Sequence, residues 1–227
     1  MSRYNDGYGL DSTVTLLRMA YSLNNWSEMI RLGEMLYEES IRIYNLNMLD
    51  GETHIVEIHT DRVLIYYIGY ALLMQGIAHQ KLLEFGKARE CIESYGDFKW
   101  LRIKDEKSID EVKYYAEISK VNLMVLDLLE GKTEVLDEYL SFILQNKDEF
   151  ISGLLTLLEA NRLSGLPIKK LESIFEENIK VIDWKNISDI DASYYLKFSY
   201  ELAMYYGRIG RNTQAISVLL NCSLSHT

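Results

Sequence analysis

Helical periodicity runs through almost all of this 227-residue chain, and two stretches of it match. One extends from Leu72 to Cys91, the other from Ser199 to Val218. Each reads as an amphipathic helix with a small residue on its face (Gly76, Ala203), then a short break, then a second helix opening on Ala88 or Ala215. That is the pattern of a helix hairpin that recurs. One hairpin leaves an apolar face that its own two helices cannot cover, so neighbouring hairpins must stack to share a core. The chain is therefore expected to be all-α, with about five stacked helix hairpins.

Three further patterns agree. The chain contains one proline, which favours long helices joined by short connections. No run of alternating apolar and polar residues bounded by turn signals marks a strand. Five helix pairs can be traced. The first runs from Asp11, where Asp11-Ser12 reads as a capping signal, through a break at Asn24-Asn25 and on from Trp26. The second carries Leu64, Tyr67, Ala71, Met74 and Ala78 on one face, breaks near Glu84 and resumes over Phe85 to Ser94. The third breaks at Glu130-Gly131-Lys132. The fourth breaks at Ser164-Gly165-Leu166 and restarts with Pro167 in a first helical turn, where its missing donor does no harm. The fifth joins Asp189–Ile209 to Gln214–Asn221, and Asp50-Gly51 is a turn pair within the first long connection. The equivalent second-helix positions Met29, Ala88, Leu136, Leu171 and Ala215 are spaced by 59, 48, 35 and 44 residues, so the repeat is irregular. The expected organisation is a tail over 1–10, one helical-repeat domain over 11–222 and a tail over 223–227.

Charge and special residues narrow the function. A net charge of −10 argues against direct nucleic-acid binding, which needs a basic surface. Nothing near the start resembles a signal peptide, and no stretch approaches the ~18 apolar residues of a membrane span. A cytoplasmic protein with no membrane contact is expected. Cys91 and Cys222 fall among apolar neighbours on second helices and read as buried reduced thiols. Many of the 17 tyrosines lie on helical faces, where they fill inter-helix space. His54 and His59, with Glu57 and Asp61 nearby, have metal-ligand chemistry. Their five-residue separation does not place them on one helix face, and a solvated loop or helix start is the reading taken. His79 reads as a packing residue. No phosphate loop, serine elbow or paired-cysteine zinc motif occurs, so no enzyme, cofactor or metal is expected.

The two matched segments resemble tetratricopeptide repeats. Gly76, His79 and Ala88 in one, and Ala203, Tyr206 and Ala215 in the other, stand where that motif has a small residue, an aromatic and an alanine. A strict array would repeat every ~34 residues, which this chain does not. The resemblance implies an irregular, right-handed superhelix. From Tyr66 to about Ile151 the chain further resembles the C-terminal repeat region of Gram-positive helix-turn-helix regulators. The runs carrying this likeness are Tyr67 to Gly76, Lys87 to Ile92 and Tyr95 to Trp100. In those of the quorum-sensing type the repeat domain takes a short peptide. Only about ten residues precede the first helix here, against ~60 for a small DNA-binding domain, so the resemblance implies the regulatory half alone.

The same likeness implies a partner surface on the inner face made by first helices. Projected onto it are Arg18, Tyr21, Gln80, Glu159, Arg162 and Tyr200, with Asn122 and Arg208 adjacent. Amide side chains can pair with a peptide backbone and arginine can clamp a carboxylate. The Lys/Asn clamp of chaperone-binding relatives is not present. Its positions read Val14, Leu73, Val121, Leu155, Tyr200 and Arg18, Ile77, Val125, Glu159, Met204, which implies a partly apolar groove. A peptide or protein partner is expected. The alternative is a homodimer or assembly scaffold with no small ligand.

Overall fold

The computed structural model describes residues 9–49, 60–103, 105–180 and 189–223. The Asp50-Gly51 turn, His54, Glu57, His59, His226 and the side chain of Cys222 lie outside what is described. Ten α-helices follow one another among the described residues: α1 (Leu10–Ser22), α2 (Trp26–Leu49), α3 (Leu64–Lys81), α4 (Phe85–Gly96), α5 (Glu106–Leu129), α6 (Leu136–Gln145), α7 (Phe150–Ser164), α8 (Glu172–Lys180), α9 (Asp189–Arg208) and α10 (Asn212–Ser223). There is no strand among the described residues. The chain divides into two compact units, Met1–Leu123 and Met124–Thr227.

One turn geometry recurs at four of the helix breaks. After α1, α3, α5 and α9 the chain places one residue in the left-handed region: Asn24 (φ 52°), Leu83 (61°), Gly131 (86°) and Gly210 (79°). The next N–H reaches back five residues: Asn25 to the Ala20 carbonyl, Glu84 to His79, Lys132 to Asp127 and Arg211 to Tyr206, each at 2.8–2.9 Å. This double closure caps the helix C-terminus and turns the chain so that a second helix can start at once. The break after α7 departs. Gly165 (φ 75°) makes only the simpler bond to Asn161. Pro167 then lies outside any helix, contrary to the sequence expectation. Leu166 and Ile168, each 1% exposed, plug into the core, and Asn161 Nδ2 holds the Leu166 carbonyl at 2.8 Å. Burying both apolar side chains outweighs an early helix start, and α8 begins five residues after the proline.

In the N-terminal unit α3 is the central helix, packed by α2 and α4 and touched by α1. Its buried residues go round the helix: Ile65, Tyr67, Ile68, Gly69, Ala71, Leu72, Met74, Gly76 and Ala78. Three fully buried tyrosines each spend their hydroxyl inside the unit. Tyr67 donates to the Asp11 carboxylate, Tyr115 to the Tyr66 carbonyl (3.0 Å), and Tyr95 accepts from Asn122 (2.7 Å). Asp11 therefore does not cap α1, as its sequence position suggests. Helix α1 starts one residue earlier, and the Asp11 side chain reaches α3 and the Asp61 N–H (3.3 Å) instead.

In the C-terminal unit α7 packs on α6 and α9, and α9 on α10. Helix α8 is joined by the Phe175–Phe198 edge contact at 5.9 Å and by Glu172. The Glu172 carboxylate accepts from Tyr205 (2.8 Å) and pairs with Arg211 (2.7 Å). No helix among the described residues is long and apolar enough to cross a membrane.

Candidate partner-binding site

The two units carry four each of the eight residues expected to meet a partner. In the N-terminal unit, Arg18 projects from α1 toward α3. It donates to the Tyr66 hydroxyl at 3.4 Å and lies 5.9 Å from the centre of the Tyr70 ring. Tyr66 and Tyr70 stack at 5.4 Å with planes 15° apart, because their four-residue spacing puts them one above the other on α3. Arg62 closes the far end, 4.6 Å over the Tyr66 ring, and its guanidinium pairs with Glu111 of α5 at 2.6 Å. The result is a ladder of Arg18, Tyr70, Tyr66 and Arg62, with an ion pair at one end only. Each cation gains from the ring quadrupole beneath it. The two phenols hold the Arg18 guanidinium more firmly charged, Tyr70 most, while burial pushes the Tyr70 phenol up.

An open cleft of about 770 Å³ lies beside Arg62, walled by Val63, Tyr66 and Tyr114 and edged by Asp61, Lys107 and Asp110. The other expected residues in this unit divide. Tyr21 is exposed and leans edge-on against Trp26 at 6.0 Å. Gln80 is half-buried near the end of α3. Asn122 is half-buried, and its amide nitrogen donates inward to the buried Tyr95 hydroxyl. The helical period accounts for the alignment of Tyr66 and Tyr70 but not for Arg62 or Glu111. Their pairing joins positions 49 residues apart, and no local pattern announces it.

In the C-terminal unit the remaining four residues come together on α7 and α9, which pack side by side. Arg162 is shared between Glu159 (3.7 Å) and Glu201 (3.5 Å). Arg208 donates to the Asn161 side-chain carbonyl at 3.3 Å. No carboxylate among the described residues pairs with Arg208, and none pairs with Arg18. Tyr200 is 56% exposed and belongs to a stripe with Leu196 (38%) and Met204 (46%), spaced by four along α9.

Reactive chemistry is sparse on these surfaces. Burial pushes the Cys91 thiol up to about 11, which keeps it protonated and unreactive at neutral pH. His79 Nδ1 meets Glu84 at 2.6 Å across the α3–α4 turn, and that contact holds the Glu84 carboxyl below its usual range. Among the described residues no three His, Cys, Asp or Glu side chains gather in a way that would hold a metal ion. What the two surfaces offer is recognition: rings and aliphatic side chains for apolar groups, and arginines for carboxylates. No family model, no curated protein and no solved structure matches the chain.

Proposed function

We propose that this chain is a non-enzymatic helical-repeat module that binds a peptide or protein partner through the surfaces of its first helices. One observation carries the reading. Arg18 and Arg208, both exposed, are positioned by phenol and amide neighbours and, among the described residues, not by carboxylates, although the chain has 34 acidic residues against 24 basic ones. An arginine oriented by neutral groups keeps its charge available to an incoming carboxylate. The half-buried Tyr66 and Tyr70 rings beside Arg18, and the exposed Met204 one turn before Arg208, supply the apolar part of a binding surface. The setting we infer is the sensory or regulatory part of a bacterial transcriptional regulator in the cytoplasm. Its hairpins would follow a tetratricopeptide-like right-handed course, with DNA binding left to another domain.

A thermal-shift screen of the intact chain against a random peptide library tests this. A binder is expected to raise Tm, and Arg18→Ala or Arg208→Ala is expected to weaken it about tenfold, near 1.4 kcal/mol. A library in which no peptide shifts Tm overturns the reading.

A second reading, a dimerisation scaffold, is favoured by α10. That helix has no Asp, Glu, Lys or Arg and exposes Ile216 (57%), Leu219 (47%) and Leu220 (55%). Two copies of an acidic chain meet with least repulsion at an uncharged apolar face. Sedimentation equilibrium decides: a concentration-independent monomer removes this reading, and a dimer lost on Leu219→Glu supports it.

A further inference from the structure

The α9 stripe defines its partner more closely. Leu196, Tyr200 and Met204 follow one another at intervals of four, and Arg208 continues the series. From Leu196 to Arg208 the stripe is about 18 Å long at 1.5 Å per residue, the length of about three helical turns. A soluble helix normally buries such a row, yet here all three apolar members stand well out of the unit's core. Tyrosine and methionine suit a contact face: one is a rigid anchor with a polar tip, the other an adaptable filler.

The groups flanking the stripe decide between an extended and a helical guest. An extended chain brings unpaired backbone N–H and C=O groups that need partners. The α7 side of the stripe has few to give. Asn161 uses its oxygen on Arg208 and one amide N–H on the Leu166 carbonyl. Arg162, Glu159 and Glu201 are engaged with one another. A helix satisfies its own backbone and needs only an apolar row to lay against this one. At the end of the stripe Arg208 has no carboxylate among the described residues, so a guest acid there completes a pair without displacing an existing one.

Building on the partner-binding reading above, we propose that the Leu196–Tyr200–Met204 stripe docks an amphipathic helix of a partner protein, with a guest Asp or Glu pairing with Arg208. The guest carries apolar residues at intervals of three and four over about three turns.

Selection of a displayed random library of peptides about 16 residues long, long enough for four turns, tests the assignment on the intact chain. Enriched peptides are expected to show apolar residues at three- and four-residue intervals, no interior proline and an acidic residue toward one end. Arg208→Glu is expected to lower their affinity at least about tenfold, and exchanging the guest acid for Lys to restore it. Met204→Asp is expected to abolish enrichment. Both positions are exposed, and retained helicity by circular dichroism shows that loss is not unfolding. Proline-rich winners, or winners indifferent to both substitutions, overturn the helical guest while leaving a partner-binding protein. A library with no winner on the wild-type chain overturns the broader reading as well.

Discussion

Two glycines on α3 show how differently one residue type serves this fold. A Cβ on Gly69 would lie 2.2 Å from the Tyr115 ring, which is 1% exposed and tied by its hydroxyl to the Tyr66 carbonyl. The ring cannot retreat, so Gly69→Ala is expected to cost about 3 kcal/mol through forced overpacking. A Cβ on Gly76 would meet the nearest atom, Cβ of Cys91, at 3.4 Å, an ordinary contact. There the alanine gains helix propensity, and Gly76→Ala is expected to stabilise by up to about 1 kcal/mol. Urea unfolding of the two variants checks both signs. The repeat pattern singles out Gly76 as the motif's small residue, whereas the position on this helix that leaves no room for a Cβ is Gly69. That difference was not legible locally, since both glycines sit in equally apolar stretches and only the position of Tyr115 distinguishes them.

At the scale of elements, the hairpin turn is the unit that recurs. Four turns share one hydrogen-bonding scheme, and two of them place glycine at the left-handed position. Leu83 occupies it with φ 61°, where a side chain costs about 1–2 kcal/mol, and being 55% exposed it recovers little by burial. Leu83→Gly is therefore expected to raise stability by about 1 kcal/mol, or Tm by about 2–4 °C for a chain of this size. A scanning-calorimetry Tm at or below wild type would show that strain at this turn is not limiting. The breaks at Asn24-Asn25, Gly131 and Gly210 were readable because turn residues interrupt the helical period there, whereas near Glu84 only the lapse of the apolar period marks the break. The break that misled was the fourth. There Pro167 signalled a helix start, and the burial of Leu166 and Ile168 determined otherwise.

The whole molecule inherits a pH response from its tyrosines. Burial is the main cause that pushes the Tyr67, Tyr139 and Tyr205 phenols up to about 12, against about 10 in an unfolded chain. A raised phenol favours the folded state while it stays protonated. Its contribution is complete below about pH 10 and is lost as pH rises through about 12. Tm is expected to hold to about pH 10 and then fall, with the phenolate absorbance of these rings appearing only as helicity is lost. Tyr139→Phe is expected to reduce the slope. A Tm that stays level up to about pH 11.5 would contradict the linkage. Tyrosine enrichment marked these residues as packing groups. It gave no sign of which hydroxyls would be sealed by Asp11, Asn122 or Glu172, since each partner lies 27 to 56 residues away.

Local pattern was enough to mark the all-α class and most of the helix breaks, because a 3.6-residue apolar period and its interruptions are encoded within a few turns of chain. It also marked Arg18, Arg162, Tyr200 and Arg208 as surface candidates, since their helical phase is set by the same period. Which of those side chains remain available is a property of distant neighbours. Asn122 donates to Tyr95, Arg162 is divided between two carboxylates, and Arg18 and Arg208 are held by neutral groups. Periodicity assigns a residue to a face. Only the folded chain brings to that face the partners that neutralise a charge or leave it available.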